Sequence, residues 1–183
     1  SGFVYTTGSF GGTVDFDPSA AVYTLTSTTG QDIFVSKFDA SGNFVWAKSM
    51  TGTGGSSTGM AIAVDASGNV YTTGWFNTST VDFNPGVPVY TLTSNGLEDI
   101  YVSKLDASGN FVWAKSFGST GAEYVYDLKL DGSNNVIVTG EFRNTCDFDP
   151  GASVTNLTSA GGADIFINKL DAAGNFVWAN SIG

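Results

Sequence analysis

Short runs of apolar and β-branched residues alternate along the chain with clusters of Asp, Ser, Gly and Asn. The runs are rich in Val, Ile, Thr, Tyr, Phe and Trp, which favours β-strands, and no segment keeps a helical period. In the middle of the chain four runs predict strands, at Met60–Val64, Asn69–Gly74, Asp99–Leu105 and Asn110–Ser116. The sequence therefore predicts an all-β protein.

The predicted strands are joined by two turns of the same sequence, Asp-Ala-Ser-Gly, which begin at Asp65 and Asp106. An aspartate can accept hydrogen bonds from the backbone that follows it, and a glycine can adopt the positive φ that ends such a turn. We therefore expect tight hairpins and a structural role for these aspartates.

One segment of the chain, Ser103–Ser116, occurs three times. The other copies are Ser36–Ser49, which differs only in having Phe38 in place of Leu105, and Asn168–Ser181. The tryptophans of the three copies recur about every 66 residues, and a fixed period of this length is typical of repeat proteins.

The period divides the chain into three repeats, 1–50, 51–117 and 118–183. The third repeat has its first strand near Tyr124–Leu130. Ser1–Gly8 matches the second strand of the middle repeat, so the first repeat lacks a counterpart of the first strand. Because the chain begins inside a repeat, we expect a processed or excised segment.

Side-chain size changes from strand to strand within a repeat. The first two strands carry small residues, Ala61, Ala63 and Gly74, whereas the fourth strand carries the large side chains of Phe111 and Trp113. Inner strands are crowded and outer strands have room when twisted sheets pack around an axis. The sequence therefore predicts β-propeller blades of four antiparallel strands, with the innermost strand first. Three units of four strands also describe a threefold β-prism, which stays open as an alternative.

Three segments together carry a resemblance to a known family. They are the strand pair from Ala61 to Gly74, the recurring Asp-Phe-Asp-Pro sequence, and Asp99–Asp106 with the Trp strand that follows. Across essentially the whole chain the sequence resembles the bacterial seven-bladed β-propeller repeats and, more distantly, NHL-type blades with their Asp-x-x-Gly-Asn hairpin. The resemblance implies blades of large secreted or surface proteins of bacteria, many without assigned activity. It does not imply a chemistry.

Three blades are fewer than the ~4 to 8 of a propeller, so we expect open edges that pair with something. The expected partners are further copies of the chain, in a ring or filament, or the remaining blades of a parent chain.

Charge narrows the classes of partner. The chain has 17 acidic and 7 basic residues, a formal net charge of −10, and only 13% charged residues. Such a field repels phosphate backbones and anionic lipids, so we expect no nucleic acid partner, whereas cations and glycans remain open. No apolar run approaches the ~18 residues of a membrane span, so we expect no membrane insertion. The abundance of Thr, Ser, Gly and Asn suits an extracellular or cell-surface protein.

The residue inventory argues against an enzyme. The chain has no histidine, and its one cysteine, Cys146, takes the place of Val14 and Val81, which predicts a buried apolar role. Histidine-based triads, zinc sites and thiol catalysis therefore lack their groups. Aspartates that recur in every repeat point to a repeated structural task, and we predict no catalytic residues and no required cofactor.

The best candidate metal site is the connection after the second strand. Pairs of oxygen-bearing side chains stand two residues apart there, and a hard cation such as Ca²⁺ takes six to eight oxygens. The alternative, which we favour, is an Asp-initiated turn with Phe inserted between blades. The candidate residues are Asp15, Asp17, Asp82, Asn84, Asp147 and Asp149.

Aromatic side chains are the candidates for ligand stacking. Trp46, Trp113 and Trp178 occupy one regular place in the fourth strand, so we expect them to pack between blades. Trp75 has Ser9 and Glu141 as its equivalents, which makes it the weak candidate for a ligand contact. Two functions follow: a structural and interaction scaffold, which we prefer, or a carbohydrate-binding, lectin-like propeller, either with or without calcium.

Overall fold

A computed structural model describes residues 2–28, 30–77 and 80–183, which form 17 β-strands and no helix. The all-β prediction is confirmed. Ser1, the first residue of the predicted strand Ser1–Gly8, lies outside the described residues. The described part of the chain has no apolar helix long enough to cross a membrane.

The strands are β1 Val4–Phe10, β2 Thr13–Asp15, β3 Thr24–Thr26, β4 Asp32–Phe38, β5 Phe44–Thr53, β6 Ser57–Val64, β7 Val70–Asn77, β8 Thr80–Asp82, β9 Thr91–Thr93, β10 Glu98–Leu105, β11 Phe111–Phe117, β12 Tyr124–Leu130, β13 Val136–Phe142, β14 Thr145–Asp147, β15 Asn156–Thr158, β16 Asp164–Leu170 and β17 Phe176–Ile182.

The long strands of each repeat pair with one another in antiparallel order. The middle repeat has the order β11-β10-β7-β6, and the third has β12-β13-β16-β17. In the first repeat β1, β4 and β5 pair in that order, and β1 pairs only with β4 among the described strands. The predicted four strands of a complete repeat are confirmed.

The first strand of the middle repeat begins earlier than the sequence predicts. It begins at Ser57 instead of Met60, because the β6–β7 register shifts between Gly59 and Ala61. The extra residue of such a bulge breaks the period of two by which a strand is recognised. The third repeat has the same shift between Val125 and Asp127.

The long connection after each second strand contains short strands that the sequence analysis did not predict. It forms a two-stranded ladder in each repeat, β2–β3, β8–β9 and β14–β15. In addition, β8 pairs with the end of β5, Thr51 opposite Asp82, and Gly118 forms the matching bridge to Asp147. The ladders of the second and third repeats therefore each join their repeat to the repeat before it.

The apolar cores lie between the repeats. One cluster joins Ile33, Trp46 and Met50 of the first repeat to side chains of the second, and the other joins the second repeat to the third. β6 lies against β1 and β4, and β12 lies against β6 and β7. Cys146 is fully buried in the second cluster, which confirms its predicted role.

A salt bridge lies on the first strand of the third repeat. Lys129 Nζ lies 3.0 Å from Asp127 Oδ2. Both side chains are exposed, so this pair contributes little to stability.

The Asp-Ala-Ser-Gly hairpins are closed as predicted. In the β10–β11 turn, Asp106 Oδ1 accepts hydrogen bonds from the amides of Ser108 and Asn110, both at 2.8 Å. Asp106 Oδ2 accepts a third bond, from Asn110 Nδ2, and Gly109 has φ +80°.

We expect Asp106→Ala to lower the free energy of unfolding by about 1–2 kcal/mol. The backbone amides of Ser108 and Asn110 and the side-chain amide of Asn110 would all lose their acceptor. Urea unfolding followed by fluorescence measures the change. Ser108→Ala is the control, since the third repeat has Ala173 at this position. An equal loss for both variants would contradict the role of the carboxylate.

Candidate functional site

The first aspartate of each candidate metal loop holds the loop closed. Asp15 Oδ1 accepts hydrogen bonds from the amides of Asp17 at 3.0 Å and Tyr23 at 2.9 Å. Asp82 Oδ1 does the same for Asn84 and Tyr90. In the third repeat the matching bonds join Asp147 Oδ1 to the amides of Asp149 and Thr155. One oxygen thus connects the two ends of each loop.

The second oxygen-bearing residue of each loop also binds backbone. The acceptors are Asp17 Oδ1 for the Ser19 amide at 2.9 Å, Asn84 Oδ1 for the Gly86 amide at 2.9 Å and Asp149 Oδ1 for the Gly151 amide at 2.7 Å. Within residues 2–28, 30–77 and 80–183, no three His, Cys, Asp or Glu side chains gather around a common point. The geometry therefore supports a turn-forming role for the six candidate residues.

The phenylalanine of each loop is inserted into the core. Phe83 and Phe148 are fully buried, and Phe148 contacts Phe117 of the preceding repeat at 5.6 Å between ring centroids. Phe16 of the first repeat is half-buried against Phe10 and Phe34. The loops of the second and third repeats thus anchor their repeats to the preceding ones, whereas Phe16 packs within its own repeat.

A cleft opens beside each loop, and the sequence analysis did not identify it. The three clefts measure about 480, 350 and 220 Å³ in the first, second and third repeats. Each lies between the loop and the hairpin turn before the fourth strand, and a Phe at the start of that strand forms one wall. The shared lining residues are Asp17, Gly42, Asn43 and Phe44; Asn84, Gly109, Asn110 and Phe111; and Asp149, Gly174, Asn175 and Phe176.

These clefts combine polar groups with an aromatic wall, which suits a neutral polar ligand such as a sugar. Lys48 and Lys115, from the preceding repeats, also line the second and third clefts. The signal in the sequence was the recurrence of Asn-Phe after each turn glycine, which is explained equally well by hairpin formation.

Trp75 is not part of these clefts. It lies in β7 opposite Thr58 of β6 and Ile100 of β10 and is half-buried. It lines none of the three clefts. The structure therefore does not bring Trp75 together with the candidate loop residues.

The three fourth-strand tryptophans have the same local sequence but different surroundings. Trp46 and Trp113 are 8% and 9% exposed, and each donates an Nε1–H hydrogen bond of 3.3 Å to an alanine carbonyl of the next repeat. The predicted packing between repeats is confirmed for these two. Trp178, in the third repeat, is 38% exposed.

Trp178 belongs to an exposed apolar surface on the third repeat, formed by Ile165, Lys169, Trp178 and Ile182, which we name the Trp178 face. Ile165 is 51% and Ile182 is 60% exposed. Their equivalents in the middle repeat, Ile100 and Phe117, are 0% and 3% exposed because the third repeat covers them. The Trp178 face therefore corresponds to a surface that is buried between the second and third repeats, and none of the described residues covers it.

The first repeat exposes the other side of an inter-repeat interface, the side that packs against a preceding repeat. Val4 is 53% exposed, whereas its equivalents Val70 and Val136 are completely buried against the preceding repeat. The turn residues Ala40 and Gly42 are also exposed. We name the surface formed by Val4, Phe34, Ala40 and Gly42 the Val4 face.

A pair of buried carboxylates lies between the second and third repeats. Glu123 accepts hydrogen bonds from the amide and hydroxyl of Ser119, and Asp99 Oδ1 is buried without a partner. The matching Asp32 has both oxygens bonded, to the amides of Gly52 and Thr28. Burial raises the pKa of Asp99 to about 6; the Asn95 amide opposes the shift and the charge of Glu123 adds to it.

A raised carboxyl pKa has a definite consequence for stability. The native state holds the Asp99 proton more tightly than the unfolded chain does, and this difference stabilises the native state. The stabilisation is complete below pH 3.8 and is lost as the pH rises through about 6. We expect this step to lower the free energy of unfolding by on the order of 2 kcal/mol.

Glu123→Ser should reduce that step, since it introduces the residue found at the matching Ser57, removes the neighbouring charge and frees the Ser119 amide. Urea unfolding of the wild type and of Glu123→Ser, from pH 3.8 to above the Asp99 pKa of about 6, compares how much unfolding free energy each protein loses. An equal loss of stability in the variant would contradict the proposed origin of the shift.

Comparison of the sequence with protein-family models and with curated proteins gives no match. The residues and geometry above are therefore the grounds for a function.

Proposed function

We propose that the chain is a non-catalytic, extracellular module of bacterial β-propeller blades that serves as a structural and interaction scaffold. In this proposal the blades are residues 1–50, without an innermost strand, 51–117 and 118–183. The module works by assembling with copies of itself or with the remaining blades of a parent chain.

The observation that carries this proposal is the pair of uncovered end surfaces. Ile165 and Ile182 are 51% and 60% exposed at positions where the preceding repeat is buried. Contiguous exposed apolar surface marks sites of protein association. The edge of β1 supports the same conclusion, because β1 pairs only with β4 among the described strands and an unpaired strand edge is a template for pairing.

The non-catalytic part of the proposal has separate support. The chain has no histidine, and burial raises the pKa of the single thiol, Cys146. The raised pKa makes a thiolate nucleophile unfavourable.

The experiment that tests self-assembly is the native mass of the chain by light scattering over a wide concentration range. We expect a mass that rises with concentration toward multiples of 19.0 kDa. A 19.0 kDa monomer at every concentration would overturn the self-assembly proposal.

A second candidate function is carbohydrate binding, which the three clefts with a Phe wall favour. Recurrent equivalent clefts suit a multivalent lectin, because linked weak sites raise avidity. In this proposal calcium binds at the loop aspartates, and any glycan contact of Trp75 is separate from the clefts, since Trp75 lines none of them. A glycan array, run with calcium and with chelator, tests it: chelator-sensitive binding supports the calcium-dependent lectin, and no glycan binding contradicts it.

A further inference from the structure

We propose that the Trp178 face of one copy binds the Val4 face of a second copy head to tail, reproducing the interface that joins successive repeats within the chain. This inference rests on the proposed self-assembly and specifies which surfaces meet. The partner is a second copy of the chain because the two faces belong to one interface that the molecule already forms twice.

The internal interfaces share one set of hydrogen bonds. Between the first and second repeats, Trp46 Nε1 and Lys37 Nζ both donate to the carbonyl of Ala107, at 3.3 and 3.1 Å. Between the second and third repeats, Trp113 Nε1 and Lys104 Nζ donate to the carbonyl of Ala172, at 3.3 and 3.4 Å. Each interface therefore places one Trp and one Lys over the alanine of a hairpin turn.

The same turns receive the tryptophan ring. A Cβ added at Gly109 would lie 3.3 Å from the Trp46 ring, and one at Gly174 would lie 3.0 Å from the Trp113 ring. Gly109 and Gly174 are accordingly buried. The glycine that each turn requires for its positive φ also lets the tryptophan ring approach, since an added Cβ would crowd the ring.

The uncovered faces carry the two halves of this arrangement. The first repeat offers the carbonyl of Ala40 and the exposed Gly42, where an added Cβ meets nothing within 4 Å. The third repeat offers Trp178 and Lys169. The Lys169 ammonium lies 2.7 Å from Asp131 Oδ2, and its other two N–H groups can donate to a second acceptor.

Backbone pairing extends the match. Thr51 pairs with Asp82 and Gly118 with Asp147, so each fourth strand ends against the loop ladder of the next repeat. Gly183 occupies the position of Thr51 and Gly118, and Asp15 occupies that of Asp82 and Asp147. Head-to-tail docking places Gly183 of one copy beside Asp15 of the other.

The intermolecular interface is smaller than the internal ones because the first repeat contributes no innermost strand. The net charge of −10 also opposes association, so binding should strengthen with salt. Two different faces meet, hence a dimer keeps one free face of each kind and adds copies until a ring closes or a filament grows.

Three variants test the arrangement, each placing a glutamate at an exposed position where folding should tolerate it. Trp178→Glu blocks one face and Val4→Glu blocks the other. Val154→Glu is the matched control, because Val154 and its equivalents Val22 and Val89 are exposed in all three repeats. Near-ultraviolet circular dichroism checks folding, and Ile165→Glu replaces Trp178→Glu if that variant misfolds.

Each face variant alone should lose at least ~10-fold in association constant, as expected for an interface anchor. An equimolar mixture of the two should form a one-to-one dimer and nothing larger, because one intact face of each kind remains. The control should assemble like the wild type. If the wild type assembles but the face variants also do, or their mixture stays monomeric, head-to-tail docking is wrong while self-assembly stands; a monomeric wild type overturns both.

Discussion

Gly74→Ala should lower the free energy of unfolding by about 3 kcal/mol or more, one of the two largest effects we expect from a single substitution in this chain. A Cβ at Gly74 would lie 1.8 Å from the backbone oxygen of Thr58 and 2.8 Å from the Tyr101 ring. The neighbouring β6 strand bulges at this point and brings its backbone against β7. Since a backbone oxygen cannot rotate away, the two strands must separate.

The matching Gly8→Ala is the control for this prediction. Gly8 lies in β1, which has no innermost strand beside it among the described residues, and the nearest atom to an added Cβ is a ring carbon of Phe34 at 2.9 Å. A half-buried ring can move, so we expect a loss of about 1 kcal/mol or less. Urea unfolding compares the two variants. Equal losses of unfolding free energy would show that the strand beside Gly74, β6, does not cause the destabilisation.

The second large effect is expected for Trp113→Ala, which should lower the free energy of unfolding by about 3–5 kcal/mol. The substitution empties a buried site between the second and third repeats and removes the Nε1–H bond to Ala172. In dilute solution, Trp178→Ala should cost less than about 1 kcal/mol, because the ring is already 38% exposed.

Thermal and urea unfolding of these two tryptophan variants, at low protein concentration, measure the difference. Both residues lie in the same Phe-Val-Trp-Ala sequence, so local propensity is matched. Similar losses for the two would contradict the role assigned to inter-repeat burial.

Local sequence was sufficient to predict the repeats, the all-β class and the hairpin turns. Asp65 and Asp106 close their turns by bonds to residues within four positions, and such contacts are encoded where they form. Strands of seven or eight residues are also long enough to be recognised from their residue composition.

Features set by distant partners were not predictable in this way. The strands β8 and β9 have three residues each, and Thr51 pairs with Asp82 because of the packing of two repeats. The unpartnered oxygen of Asp99 arises since Glu123, a residue unique to the third repeat, takes the Ser119 amide.

The candidate site shows the same division. Sequence placed Asp15, Asp82 and Asp147 in turns, and their bonds fit that role, but it could not show the clefts that the turns form with Asn43, Asn110 and Asn175. It also could not separate Trp46 and Trp113 from Trp178, because identical sequence is buried or exposed according to the neighbouring repeat. Their difference is the basis of the proposed assembly.

The most direct test of that assembly is the indole N–H region of the ¹H–¹⁵N spectrum, recorded at increasing protein concentration. We expect the Trp178 signal to shift and its hydrogen exchange to slow as the indole binds the Ala40 carbonyl of a second copy, while the signals of Trp46 and Trp113 stay constant. A Trp178 signal that does not change with concentration, although the chain assembles, would contradict head-to-tail docking.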